Sequence, residues 1–161
     1  MKIGIISDSH DHMENIKKAV QLFKEKKVDY IIHLGDYVNP ATVKLFQGVK
    51  LTGIFGNNDG DKFRLINSFN KIGGEIKGDF FEFEEGGLKV ACYHGTEPQI
   101  KDSLIESGKY DVVLYGHTHK YENSKVNNTL VLNPGTAHGF WREVTVMVFD
   151  TETREADIVG L

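Results

Sequence analysis

Five short apolar segments of the chain each end in side chains that can bind a metal ion. The segments are IGIISDSH, IIHLGD, TGIFGNND, VACYH and VVLYGHTH. Their ends supply aspartate, asparagine and histidine, whose oxygen and nitrogen atoms suit divalent transition metals. If the apolar segments are strands of one sheet, every cluster lies at a carboxyl end, where open α/β sheets bind their ligands. The pattern therefore predicts a hydrolase with two metal ions.

The spacing of the donors supports this interpretation. Asp8 and His10 are two residues apart, and so are His117 and His119. In an extended chain, side chains two residues apart point to the same side, so each pair could hold one metal. Asp36 follows a glycine, which lets the backbone turn close to a ligand. A carboxylate can bridge two cations in sites where the metals lie about 3.5–4 Å apart and activate water.

The elements that must position these donors alternate in the first half of the chain. We expect strands at about 2–7, 30–34 and 50–55, and helices at about 13–26, from Pro40 onwards and near 61–69. Asp11 with Glu14 resembles a capping box ahead of the first helix. The alternation of strand and helix predicts a parallel sheet with right-handed crossovers.

The second half reads mainly as hairpins. FFEFEEGGLKVACYH turns at Gly86-Gly87, a helix near 97–107 and the strand VVLY follow, and KYENSKV turns into TLVLNPG at Asn127-Asn128. A third hairpin joins VTVMVFD to EADIVG. Two mixed sheets packed face to face, with helices outside, accommodate both halves in one domain spanning residues 1–161.

Composition limits the classes of function. The net charge is −4 and only three basic residues are arginine, so the basic patch of a nucleic-acid binder is missing. The single Cys92 cannot form an intrachain disulfide, and its apolar surroundings predict a small buried hydrophobe. The chain starts with a strand pattern, and no apolar run approaches the roughly 20 residues of a membrane span. We therefore expect no signal peptide, no membrane span and a cytoplasmic protein.

The ordered motifs DSH, GDYV, GNND, YHG and GHTH resemble those of the calcineurin-like metallophosphoesterase superfamily. The small size and the turn Asn133-Pro134-Gly135 are similar to its compact YfcE-type phosphodiesterases, and the resemblance runs from Met1 to about Gly139. It implies an α/β fold, namely a four-layer α/β/β/α sandwich of two mixed sheets, with a dinuclear site between the sheet edges and no cap domain.

Carried over position by position, the resemblance implies two divalent metal ions that share one aspartate. The first ion would be held by Asp8, His10, Asp36 and His119. The second ion would be held by Asp36, Asn57, His94 and His117. These ligand types do not determine whether the ions are manganese, nickel, iron, cobalt or zinc.

The implied reaction is hydrolysis of a phosphate ester by a metal-activated hydroxide that attacks in line at phosphorus, without a side-chain nucleophile. The residue after the ligand asparagine is often histidine in the superfamily and cysteine in the YfcE-type group, whereas here it is Asn58, followed by Asp59. Asparagine donates a hydrogen bond but cannot deliver a proton by changing its charge state. We expect Asn58, Asp59 and Asp36 to be the catalytic residues.

The substrate is expected to contact a small set of polar side chains, namely Asn57, Asn58, His12 and His138. The two histidines are also candidates for the missing general acid, and His33 is expected to be packed. Phe140 and Trp141 could stack on a base or an aryl group, although packing is the commoner fate of such residues.

A small phosphodiester is the expected substrate. No arginine follows Asp36, and a monoester dianion benefits from a guanidinium fork that a diester needs less. The alternatives are a protein-binding scaffold like the retromer subunit of this fold, a phosphomonoesterase and a nuclease of the same superfamily. A homo-oligomer is also possible.

Overall fold

The chain forms two β-sheets that pack face to face, with helices on both outer surfaces. The computed structural model describes residues 1–161. The strands are β1 (Lys2–Ile6), β2 (Tyr30–His33), β3 (Leu51–Gly53), β4 (Glu75–Ile76), β5 (Phe80–Glu85), β6 (Leu88–Tyr93), β7 (Val112–Leu114), β8 (Tyr121–Val126), β9 (Thr129–Pro134), β10 (Thr145–Asp150) and β11 (Glu155–Gly160). The helices are α1 (Met13–Glu25), α2 (Lys62–Lys71) and α3 (Pro98–Glu106), with a 3₁₀ helix at Pro40–Phe46.

Both sheets are mixed. The first has the strand order β11-β10-β1-β2-β3-β4, in which β1 to β4 run parallel and β10 pairs antiparallel with β1 and β11. The second has the order β5-β6-β7-β9-β8, with a parallel centre and an antiparallel hairpin at each edge. The predicted pair of mixed sheets is confirmed.

Three separate apolar clusters show that the architecture has four layers. Residues of α1 and α2, such as Phe23 and Phe69, pack on the outer face of the first sheet. The cluster between the sheets includes Cys92 and Phe149. On the outer face of the second sheet, α3 contributes Ile105. The α/β/β/α sandwich is therefore confirmed, and Cys92 is the buried hydrophobe that its neighbours predicted.

Two local expectations differ from the structure. The capping box is wrong, because α1 is capped by His12, whose Nδ1 accepts a hydrogen bond from the amide of Asn15 at 3.3 Å. Asp11 instead accepts one from the amide of Asn39 at 2.7 Å and so joins two loops. The two-residue strand β4 was not anticipated, because so short a segment shows no hydrophobic period.

No helix in the structure combines the length and the apolar character needed to cross a membrane.

The packing of α1 on the first sheet generates a test of the core. The Phe23 ring is fully buried and lies over Gly4, where an added Cβ would be 2.8 Å from the ring. We expect Phe23→Ala to lower the free energy of unfolding by about 3–5 kcal/mol, measured by urea denaturation, because it leaves a cavity. Phe63→Ala is the matched control, since that ring is 76% exposed on α2. Equal effects of the two changes would contradict this account; if the alanine variant does not fold, Phe23→Leu replaces it.

Candidate metal centre

The loops that follow β1, β2, β3, β6 and β7 meet at one edge of the two sheets. The first two loops continue the pairing of their strands, because the amide of Asp8 donates to the carbonyl of Gly35 at 3.1 Å and that of His10 to the carbonyl of Asp36 at 3.0 Å. Parallel strands bring their carboxyl ends to the same edge of a sheet. The five segments belong to two sheets rather than to the one that the pattern assumed, with β1, β2 and β3 in the first and β6 and β7 in the second, and the packing of the sheets brings the two edges together.

Left-handed backbone is concentrated in the predicted metal ligands. Non-glycine residues rarely adopt positive φ, and such conformations cluster at functional sites. Five of the seven predicted ligands have it, namely Asp8 (51°), His10 (37°), Asp36 (59°), His117 (65°) and His119 (56°). The extended backbone that we assumed for the Asp8–His10 and His117–His119 pairs is therefore wrong, although both pairs still converge.

Asp8, His10 and His119 form the first group of donors. Their ligand atoms lie within 4.8 Å of one another. His119 Nε2 is 3.1 Å from Asp8 Oδ1, and His10 Nε2 is 3.9 Å from the same oxygen. Asp36 Oδ2 lies 3.4 Å from His10 Nε2, so this aspartate borders the group as well.

Asp8, Asp36 and His94 form the second group, again within 4.8 Å. His94 Nε2 lies 3.5 Å from Asp36 Oδ2. The side-chain oxygen of Asn57 is 3.1 Å from His94 Nε2 and 2.9 Å from His117 Nδ1. The structure thus brings all seven predicted ligands together, with Asp36 Oδ2 between His10 and His94.

The donor atoms fit a divalent cation better than they fit one another. Asp8 Oδ1 and His10 Nε2 are buried and make no hydrogen bond. Buried polar atoms are almost always hydrogen-bonded, so an unpaired carboxylate oxygen beside an unpaired imidazole nitrogen indicates a missing positive charge. His94 Nδ1 is bonded to the carbonyl of Leu34 at 2.6 Å, which orients the ring and leaves Nε2 facing the centre.

Electrostatics favour the ligating protonation states. Burial lowers the pKa of His10 and of His117, so both rings are held neutral, the form that binds a metal. Burial alone would raise the pKa of Asp36, but contacts with His94 and Asn58 outweigh it and hold the pKa below its usual value. Burial alone would lower the pKa of His94, but its contacts with Asp36 and Asp8 outweigh burial and raise the pKa. A bound cation would displace a proton from the ring.

Asp59 holds two loops of the site together. Its Oδ2 accepts hydrogen bonds from the amides of Asp36 and Gly56, and its Oδ1 from those of Tyr37 and Val38, at 2.7–2.9 Å. The residue is only 2% exposed. Since both oxygens are occupied and the side chain is buried, these contacts favour a positioning role for Asp59, and the catalytic role expected of it stays a prediction.

Asn58 acts on the shared aspartate. Its backbone amide donates to Asp36 Oδ1 at 2.9 Å and its side-chain amide to Asp36 Oδ2 at 2.7 Å. Two neutral donors therefore orient the carboxylate from one side and leave its other side open to the histidines. Asparagine at this position suits a residue that orients Asp36 and does not transfer a proton.

Two glycines allow this close packing around the carboxylates. A Cβ at Gly56 would overlap the carboxylate of Asp36, and one at Gly116 would overlap Ser7 and approach Asp8 Oδ2 to 2.8 Å. Both glycines precede a predicted ligand, as the sequence motifs indicated. Any side chain at either position would displace a carboxylate of the site.

The histidines expected to contact substrate lie beside the first group of donors. His12 caps α1, and its ring meets that of His138 edge-on at 5.4 Å. His138 stacks on Phe140 at 3.6 Å. His33, as expected, is fully buried and bonded to Ser9 Oγ at 3.0 Å.

Phe140 has a contact that the sequence did not reveal. Its ring centroid lies 4.8 Å from that of His10 and 5.4 Å from that of His119. The only signal was its position shortly after the Asn133-Pro134-Gly135 turn. The expectation that Trp141 packs is wrong, because its side chain is fully exposed.

Comparison with known proteins identifies the family. The calcineurin-like phosphoesterase superfamily domain matches residues 1–154. The phosphodiesterase MJ0936 of Methanocaldococcus jannaschii is 40% identical over 159 residues, which cover 96% of each chain. The structure of an archaeal phosphodiesterase superposes with a TM-score of 0.95 at 38% identity over all of both chains. The phosphoesterase Yfce of E. coli, at 16% identity, has the same fold with a TM-score of 0.71 over 99% of this chain and 98% of its own. The chain belongs to the calcineurin-like phosphoesterase superfamily, which confirms the resemblance seen in its motifs.

The role of Asp59 can be tested by Asp59→Asn. The new amide group would face two backbone amides, so we expect a loss of unfolding free energy of about 1–3 kcal/mol for each unsatisfied donor. We also expect metal affinity to fall about 10–100-fold, measured by calorimetry, because the loop that carries Asp36 is released. Asp61→Asn is the matched control, since Asp61 caps α2 and asparagine caps equally well. Unchanged metal affinity in Asp59→Asn would contradict the positioning role.

Proposed function

Because the chain belongs to this superfamily, we propose that it is a metal-dependent phosphodiesterase with two divalent transition-metal ions. The observation that carries the proposal is the pair of buried, unbonded atoms, Asp8 Oδ1 and His10 Nε2, facing further donors at 3–4 Å. The relative with 40% identity over nearly the whole chain is a phosphodiesterase, which supports the same reaction.

The proposed ligand sets are those that the resemblance implied. The first ion is assigned to Asp8, His10, Asp36 and His119. The second ion is assigned to Asp36, Asn57, His94 and His117. The contacts of Asp36 Oδ2 with His10 and with His94, at 3.4 and 3.5 Å, support its role as the shared ligand. When bound, two such ions activate water and stabilise the charge that develops on the phosphoryl oxygens.

The side chains of the site orient the metal ligands and the substrate, and none of them attacks phosphorus. Asn58 holds the carboxylate of Asp36 in its shared orientation, and the carbonyl of Leu34 holds the His94 ring. Asn57 and Asn58 are exposed at the opening, where their amides could contact a phosphate oxygen. The pKa of His138 is lowered by burial and by the neighbouring His10 and His12. At neutral pH it is therefore uncharged, and we assign it a hydrogen bond to the substrate rather than proton delivery.

The distribution of arginine supports a diester substrate. Arg64 is paired with Asp61 at 3.4 Å on α2, and Arg154 lies in the turn between β10 and β11. Arg142 lines a pocket beside His119. None lies among the donor groups, where a monoester dianion would benefit from a bidentate fork. A diester carries one negative charge and needs less compensation.

The competing functions are supported less well. A protein-binding scaffold has no need of seven converging donors. A nuclease that acts on long nucleic acid would need an extended basic surface, and the net charge of −4 counts against one. The metals proposed are manganese or nickel, with iron, cobalt and zinc as alternatives that the donor types also suit.

Removal of the shared ligand tests the proposed site. We expect Asp36→Asn to lower turnover of bis(p-nitrophenyl) phosphate by at least the roughly 10–100-fold that loss of a metal-orienting group costs. Metal content and thermal unfolding are measured on the same sample, so that a folding defect is separated from a metal defect. Asp79→Asn is the control, because that exposed carboxylate pairs only with Lys62. Near-normal turnover in a folded Asp36→Asn protein would contradict the proposal.

Metal removal tests the reaction itself. Chelation is expected to abolish hydrolysis of bis(p-nitrophenyl) phosphate, and added manganese or nickel to restore it, because the ions activate the water. p-Nitrophenyl phosphate, a monoester, is expected to be hydrolysed more slowly under the same conditions. Full activity after complete chelation would contradict the metal mechanism, and faster monoester turnover would contradict the diester assignment. A scaffold would be inactive in every state.

A further inference from the structure

A pocket of about 510 Å³ opens beside His119, one of the proposed ligands. Its other lining residues are Lys120, Tyr121, Trp141, Arg142 and Glu143. They come from the loop between β7 and β8, from the first residue of β8, and from the loop between β9 and β10. The volume falls in the range of about 300–1,000 Å³ that is typical of small-ligand sites. A substrate group that extends from the metal centre on the His119 side would enter this pocket.

Trp141 is presented to solvent by a fixed loop. It is the only tryptophan of the chain, and its side chain is completely exposed. The loop before it is held by the amide of His138, which donates to the carbonyl of Asp8 at 3.0 Å, and by the stacking of His138 on Phe140. An exposed indole on an anchored loop has no role in the core, and tryptophan is the residue type most enriched at binding hot spots.

The chemistry of the lining selects a flat ring attached to an anion. Trp141 and the half-exposed Tyr121 offer aromatic surfaces on which a planar ring can stack. Lys120 and Arg142 are cationic and attract a phosphate, while Glu143 can accept a hydrogen bond from a ring substituent. A methyl group offers no flat face to stack on these rings.

We infer that this pocket binds a planar aromatic ring, either an aryl group or a nucleobase, carried by one ester arm of the substrate. The inference rests on the proposed function, which places the scissile phosphate at the neighbouring metal centre. The stacking surface of Trp141 then favours esters that bear a ring over esters that bear an alkyl group.

Fluorescence of Trp141 reports on the pocket directly, since no other tryptophan contributes. The zinc-saturated protein is titrated with phenylphosphonate and with methylphosphonate, which differ only in the ring and are not hydrolysed. We expect a saturable change in emission with phenylphosphonate and none with methylphosphonate. Adenosine 5′-monophosphate and ribose 5-phosphate form a second pair, and the tighter ring-bearing ligand identifies the source of the ring.

Substitution supplies the controls. We expect Trp141→Ala to weaken binding of the ring-bearing ligand about 5- to 100-fold by calorimetry, because it removes a stacking surface, and to leave methylphosphonate binding unchanged. In the double variant Trp141→Phe with Phe63→Trp, the reporter moves to another exposed position, on α2, and the saturable change should disappear. Equal binding of the ring-bearing and ring-free ligands, or an unaltered affinity in Trp141→Ala, would overturn the inference.

Hydrolysis of bis(p-nitrophenyl) phosphate by the same protein preparation loaded with manganese or nickel separates the two proposals. A saturable signal without hydrolysis supports the ring pocket and overturns the proposed function. Hydrolysis with a Trp141 emission that does not respond to either ring-bearing ligand supports the proposed function and overturns the ring pocket.

Discussion

The fold brings together buried donor atoms that lack the hydrogen-bond partners such atoms normally have. Asp8 Oδ1 has the Nε2 atoms of His119, His10 and His94 at 3.1, 3.9 and 4.0 Å, and it makes no hydrogen bond. Removing such groups from water without a partner is costly. A metal bound at the proposed site would compensate this cost, and because the unfolded chain has no equivalent site, its binding would also stabilise the fold. Under the proposed function, the stability of the protein and its chemistry would therefore depend on the same interaction.

The surrounding structure serves to keep that arrangement in place. Left-handed backbone at five of the seven donors would relax if the loops were free. Asp59 prevents this for the loop after β2 by accepting three amide hydrogen bonds from it, and a fourth from Gly56 ties it to the loop after β3. Asn58 holds the carboxylate of Asp36 in place. Neither residue needs to touch the substrate, yet both set the position of Asp36. The residues that follow the ligand asparagine thus act through geometry.

The sequence predicted the elements and the meeting of the donors because both follow from local patterns. Apolar runs define strands, and parallel strands of one sheet align their carboxyl ends, so the meeting of Asp8 and Asp36 follows from the pattern. His94 follows a strand of the second sheet and joins them only because the two sheets pack face to face. The sequence could not predict contacts between distant loops. That Asp59 accepts amides from residues 36–38, that Asp11 bonds Asn39, and that Phe140 packs on His10 all depend on side chains separated by more than 20 residues. The same limitation applies to Trp141, whose exposure results from an anchored loop rather than from its own hydrophobicity.

The donors are buried on one side of the centre and exposed on the other, and this difference indicates where a substrate can enter. Asp8, Asp36 and His94 are fully buried, whereas Asn57 is exposed and His117 and His119 are partly exposed. The more exposed donors lie in the loops after β3 and β7, and this favours approach of a substrate from that side. On that side the loop between β9 and β10 carries the aromatic residues, and it contacts the proposed metal ligands through Thr136, His138 and Phe140. Substitutions beyond Phe140 can thus alter which ester is accepted without moving a metal ligand, which separates selectivity from the chemistry of hydrolysis.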